Sequence, residues 1–160
     1  MQDQGSIVAA LNSTWFASGL DPETQTRLAS IARTFHAEPG EVLFQEGEPS
    51  TTFGVVIRGR IALRTLVPER GEITILTIEP GDIFGWSTLI PPNRSTSTGV
   101  AIEPLEAIVF DNAGLKAAIR SDVNLAAAIY PRIVVAVARR LNATRLQLLD
   151  LFAKEEVRSW

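Results

Sequence analysis

Between residues 37 and 110 the chain alternates short apolar runs with polar punctuation. Val42–Phe44, Phe53–Ile57, Ile61–Leu66, Ile73–Ile78, Gly99–Ile102 and Ala107–Phe110 are divided by Gly, Pro and charged positions, at a spacing of about ten residues. The pattern predicts antiparallel strands in a jelly-roll-like β-barrel, with Glu69-Arg70-Gly71-Glu72 as a solvated hairpin tip. On either side the period changes to that of a helix. Leu11, Trp15 and Phe16 share an apolar face, and Asp21-Pro22-Glu23 supplies an N-cap, a first-turn proline and an acid. Leu28, Ile31, Ala32 and Phe35 continue at helical spacing. Asp111 or Asn112 can cap a short helix through Arg120, and Ser121-Asp122 opens a long one that Pro131 should kink. The expected fold class is α+β in one domain. N-terminal helices span 6–36, a β-roll core 37–112, and a hinge helix with a long C-terminal helix 113–158.

The long helix carries Ile129, Ile133, Val134, Val137, Leu141, Leu148, Leu149 and Phe152, a stripe too wide for a helix with one covered side. Part of it should pack on the barrel. A seam through Val134, Val137, Leu141, Leu148 and Leu151 predicts a homodimer paired across a two-fold axis, with imperfect spacing at Thr144-Arg145.

Composition removes several function classes. Of 160 residues, 46% are apolar and 21% charged, and the net charge is −3, so no basic field exists to hold a nucleic-acid backbone. Without cysteine there are no disulfides, iron–sulfur clusters or cysteine-ligated zinc. His36 is the sole histidine, too few for the two-histidine, one-carboxylate iron centre found in some β-rolls. Glu79 and Asp82 read as solvated turn carboxylates, and no catalytic set emerges, so an enzyme is not expected. Met1–Gly5 lacks a signal-peptide pattern and no run of about 18 apolar residues occurs, so the expectation is a cytoplasmic protein with no membrane contact.

The most informative stretch is Pro80-Gly81-Asp82-Ile83-Phe84-Gly85-Trp86-Ser87, followed by Arg94-Ser95-Thr96. It reads as a strand end, a glycine turn, a short helix start and a loop carrying an arginine beside two hydroxyls. Amides at a helix start favour an anion, and a guanidinium can grip two phosphate oxygens. An ordinary surface turn with a solvated arginine would have the same composition.

With Glu38-Pro39-Gly40-Glu41-Val42-Leu43-Phe44-Gln45-Glu46-Gly47-Glu48 and Val55–Leu63 upstream, this stretch resembles the cyclic-nucleotide-binding domain of the CRP/FNR type over about residues 15–150. The resemblance implies a phosphate-binding cassette in which Phe84-Gly85 and Arg94-Ser95 match. Arg94 would pair with the cyclic phosphate, and Ser95 or Thr96, with amides near Gly85 to Ser87, would complete the cage. Trp86 stands where the family has a glutamate that accepts the ribose 2′-hydroxyl. An indole cannot accept that bond, and its loss costs about 1.5–3 kcal/mol. It does relieve repulsion at the phosphate and offers a face for stacking on a purine. On the long helix, Thr144 matches a threonine that meets the purine amino group, while Arg139 and Arg140 read as surface charges.

What the resemblance implies is a regulatory sensor with no cofactor. It would bind cAMP or a related cyclic nucleotide, dimerise through its C-terminal helix, and signal to an unknown downstream protein. The family's transcription factors continue into a helix-turn-helix domain, whereas this sequence ends at Trp160. A stand-alone sensor or a piece of a longer protein is expected, without direct DNA binding. Two alternatives stay open: the same fold with a non-nucleotide anion, or a ligand-free interaction domain whose pocket Trp86 fills.

Overall fold

The computed structural model describes residues 3–158; the terminus at Trp160 lies outside them. Two short helices, α1 (Gln4–Asn12) and α2 (Pro22–Ser30), precede eight strands. These are β1 (Ala32–Ala37), β2 (Val42–Phe44), β3 (Phe53–Arg58), β4 (Ile61–Val67), β5 (Gly71–Ile78), β6 (Ile83–Phe84), β7 (Thr98–Ala101) and β8 (Leu105–Phe110). A 3-10 turn, Trp86–Thr88, follows β6. The helices α3 (Asn112–Ser121) and α4 (Val123–Arg158) close the chain.

The strands form two four-stranded antiparallel sheets, ordered β1-β8-β3-β6 and β2-β7-β4-β5. Their apolar faces meet. Val56, Phe84, Ala107 and Val109 of the first sheet pack with Ile61, Leu63, Ile78 and Ala101 of the second. The outer face of the first sheet is also apolar, because Phe53, Val55, Ile83, Ile108 and Phe110 alternate with those inward residues and pack beneath the helices. Covering on both sides explains why β3 reads Phe-Gly-Val-Val-Ile without polar alternation: residues 53–56 are all buried.

The hairpin tip falls where expected, between β4 and β5, with Glu69 at φ 66° and Gly71 at φ 80°. Two expectations fail here. Trp15 and Phe16 lie in turns beyond α1, which ends at Asn12, rather than on a helix face with Leu11. Ala32 and Phe35 belong to a strand, not to the helix that their spacing with Leu28 and Ile31 suggested. Helix α2 ends at Ser30, and β1 pairs with β8 from Ala32↔Phe110 through Ala37↔Leu105. Six cross-strand pairs outweigh the weak helical preference of Ile, Thr and Phe in that segment.

Asp21 and Asp111 cap α2 and α3, each carboxylate accepting an amide three residues on. Helices α3 and α4 meet at a bend of 118°, and no single helix among the described residues is long and apolar enough to cross a membrane. Helix α4 has two unlike halves. Leu125, Ile129, Ile133 and Ala136 are buried in the helical core, whereas Leu141, Leu148, Leu149, Leu151 and Phe152 are half or more exposed.

Candidate functional site

The site grows from the end of β6. Phe84 is fully buried and stacks on Phe44 with ring centroids 6.3 Å apart. Gly85 then turns the chain with φ 72°, and a Cβ there would lie 1.7 Å from the Thr52 carbonyl oxygen. Only glycine fits. The 3-10 turn that follows begins with the amides of Trp86 and Ser87, the donors a helix start leaves without intrahelical partners.

The loop beyond is fastened from several directions. Asn93, at φ 59°, donates its amide to the Ser87 and Thr88 carbonyls at 3.1 and 2.9 Å. Ser87 Oγ donates to Ser50 Oγ, which in turn lies 2.9 Å from Thr88 Oγ1, a buried hydroxyl chain. The Gly47 amide donates to the Ser95 carbonyl and the Ser95 amide to the Glu48 carbonyl, so this loop is laced to residues 47–50.

Opposite stands α4. Val137, Arg140, Leu141 and Thr144 recur at i, i+3, i+4 and i+7, which places them on one helix face. Between that face and the roll is a cleft of about 220 Å³. Its floor is apolar, with Phe44, Leu63, Leu76 and Ile78 among its residues, and its roll wall carries Gly85, Trp86, Ser87, Ser95, Thr96 and Ser97. The hydroxyls of Ser95, Thr96 and Ser97 have no hydrogen-bond partner among the described residues. Among the described residues, no carboxylate lines the cleft, and Arg140 is its one charged group.

Arg140 overturns its reading as a surface charge. Its side chain is 14% exposed, it donates to the Ile83 carbonyl, and the Asp82 carboxylate lies 3.8 Å away. Burial lowers the guanidinium pKa, with Asp82 opposing that shift. Asp82 in turn is only one-third exposed, not freely solvated. Arg139, one residue earlier, stays exposed but sits 4.4 Å over the Trp15 ring.

Six of the eight residues expected at the site converge on this cleft: Gly85, Trp86, Ser87, Ser95, Thr96 and Thr144. The structure does not bring the other two there. Phe84 faces the interior of the roll, because strand alternation sends Ile83 and Phe84 to opposite faces. Arg94 is exposed, donating from Nη1 to the Gly47 carbonyl at 2.8 Å. Thr144 spends its hydroxyl hydrogen on the Arg140 carbonyl at 2.8 Å, which leaves its oxygen as an acceptor. Sequence reasoning missed Arg140. The available signal was its i−4 spacing from Thr144, which puts both on one face.

A model of the family described as cyclic nucleotide-binding domain matches residues 34–122. Acetyltransferase Pat of Mycolicibacterium smegmatis is 37% identical over 97 residues, covering 61% of this chain and 29% of that protein. The CRP-like cAMP-activated global transcriptional regulator of Mycobacterium tuberculosis is 26% identical over 133 residues, 83% of this chain and 58% of that protein. This chain therefore spans less than two thirds of either relative. Among solved structures, a cyclic nucleotide-binding domain from Methylobacillus flagellatus superposes with a TM-score of 0.77 at 19% identity, covering 92% of this chain and 83% of that one. At that identity the match speaks for the fold.

Proposed function

The chain belongs to the cyclic nucleotide-binding domain family, and from that premise we propose that its cleft binds a cyclic purine nucleotide and relays binding through α4. The observation that carries this reading is the composition of the cleft wall: unpartnered hydroxyls and one buried guanidinium, with no carboxylate, closed by a single helix face. Such a wall suits an anion attached to a flat apolar body.

Two arginines have different parts in this reading. Arg140 meets the ligand from α4. Arg94 turns in from the rim, and the chemistry of the acceptors favours that turn. Its present bond is a single one to a neutral carbonyl, whereas a phosphate brings opposite formal charge and can take the planar guanidinium through two bonds at once. Trp86 offers its ring to the base, and Thr144 offers its oxygen to the purine amino group. Since α4 supplies one wall, a ligand that prefers one position of α4 shifts its population, and the exposed apolar half of α4 carries that shift into a homodimer. Both curated relatives are longer than this chain, and one is named an acetyltransferase. We assign this domain the regulatory part rather than a catalytic one.

Calorimetry of cAMP and cGMP against the chain tests the reading, with Arg94→Ala alongside. Micromolar binding is expected, weakened about 10- to 150-fold in the variant. Folded protein giving no heat with either nucleotide would reject it. That result would select the second reading, in which the half-buried Trp86, packed against the helical core, narrows the cleft for a non-nucleotide anion or fills it.

A further inference from the structure

A second cleft of about 260 Å³ lies on the far side of the same loop, between Leu89–Asn93 and the corner where α3 meets α4. Lys116 and Arg120 of α3 line it, four residues apart and therefore on one face, and Tyr130 of α4 joins them. None of the three has an ion pair or hydrogen bond among the described residues. Some cations elsewhere are paired, such as Arg27 with Asp122 and Arg60 with Glu79 and Glu103, while Arg58, Arg64, Arg70 and Arg145 also lack a side-chain partner among the described residues; what sets Lys116 and Arg120 apart is their convergence on one cleft. Like charges at this spacing weaken a helix. The helix dipole accounts for Arg120 in the last turn of α3, but not for Lys116 in its middle. Among the described residues no carboxylate lines the cleft, on a chain whose net charge is −3. The rest of the wall is apolar, with Leu89 and Ile119 nearly buried and Pro91 between them and the loop.

We infer that this cleft is a second ligand site, one that takes a carboxylate on a short apolar stem. The ammonium, guanidinium and phenol supply donors for the carboxylate, and Leu89, Pro91 and Ile119 receive the stem. The ligand chemistry has two sources, a free organic acid or a glutamate side chain of another protein. The site is separate from the α4 cleft but shares a wall with it. Asn93 borders this site, and its amide holds the carbonyl of Ser87, which lines the other. The inference stands whether or not a nucleotide binds there.

The test is an NMR titration of the full chain with glutarate, with a blocked pentapeptide carrying two glutamates, and with neutral glutaramide. Saturable shifts at Lys116, Ile119, Arg120 and Tyr130 are expected with at least one acidic probe and not with glutaramide. Affinity should fall about tenfold or more in a Lys116→Gln, Arg120→Gln double variant whose spectrum shows it folded. Arg140→Gln should leave this binding intact. Tighter binding of glutarate assigns the site to free acids, and of the peptide to a protein partner. No saturation at tens of millimolar, equal binding of glutaramide, or binding unchanged in the double variant would overturn the inference.

Discussion

The two walls of the α4 cleft are built on different principles. The roll wall is fixed by its backbone: a glycine pressed on the Thr52 carbonyl, an asparagine holding two carbonyls, and a loop laced to residues 47–50. The helix wall is fixed mainly at one end. One face of its first half is buried in the core, and past Ala136 it is held by the Arg140 contact to Ile83 and the Arg139 contact to Trp15. A wall of the first kind keeps its shape whether or not a ligand is present. A wall of the second kind can be repositioned by one, so the proposed function assigns selectivity to the roll and response to the helix.

The comparison breaks most decisively at Gly85. Gly85→Ala should cost about 2–5 kcal/mol, since overpacking and left-handed strain add. Gly81→Ala should cost only about 1–2 kcal/mol: its φ is +90°, but the nearest atom to a new Cβ is 3.8 Å away. Urea denaturation of both variants decides this, and equal losses would mean that close approach is not what shapes the roll wall. Next in size is the helix end. Leu148→Glu with Leu151→Glu, at side chains 50% and 62% exposed, should raise the dimer dissociation constant about a hundredfold or more with little loss of monomer stability. Sedimentation would read this, and a monomeric parent chain would remove the dimer from the proposal.

Smaller effects sharpen the assignment of roles. Trp86→Ala should weaken purine nucleotide binding about two- to tenfold if the ring stacks on the base. Calorimetry showing tighter binding would instead identify Trp86 as a plug. Asp21 provides a control remote from both walls. Its bonds from the side chain and amide of Thr24 hold its carboxyl below the ordinary value of 3.8. A lowered folded pKa stabilises the protein above the unfolded value, and that contribution is lost as pH falls through the folded one. Asp21→Asn should therefore lower the denaturation midpoint slightly at neutral pH, with the gap closing in acid, while leaving ligand affinity untouched.

Much of the roll was legible because its punctuation is local. Glycines at the hairpin tip and at Gly85, and caps at Asp21 and Asp111, declare themselves within a few residues. What escaped depends on contacts made by distant segments. Ala32 and Phe35 sit at helical spacing from Leu28, yet β8 arrives some seventy residues later to claim them. Arg140 resembles its exposed neighbour Arg139 in every local respect, and docking of α4 beside β6 buries it. Arg94 shows the converse. The cassette pattern singles it out for its place before Ser95, while its side chain donates to a carbonyl on the facing loop.

Helix α4 runs for 36 residues, about 54 Å at the usual rise. Its last contact with the cleft is Thr144, and roughly 21 Å of helix extends past that point to Arg158. Such a rod has mechanical gain. A tilt of about 10° at the cleft displaces the far end by roughly 4 Å, about two thirds of a helical turn. Under the proposed function, the displacement at any point along α4 would grow with its distance from the cleft. Shortening the overhang turn by turn would scale the signal down while leaving the affinity for ligand where it was.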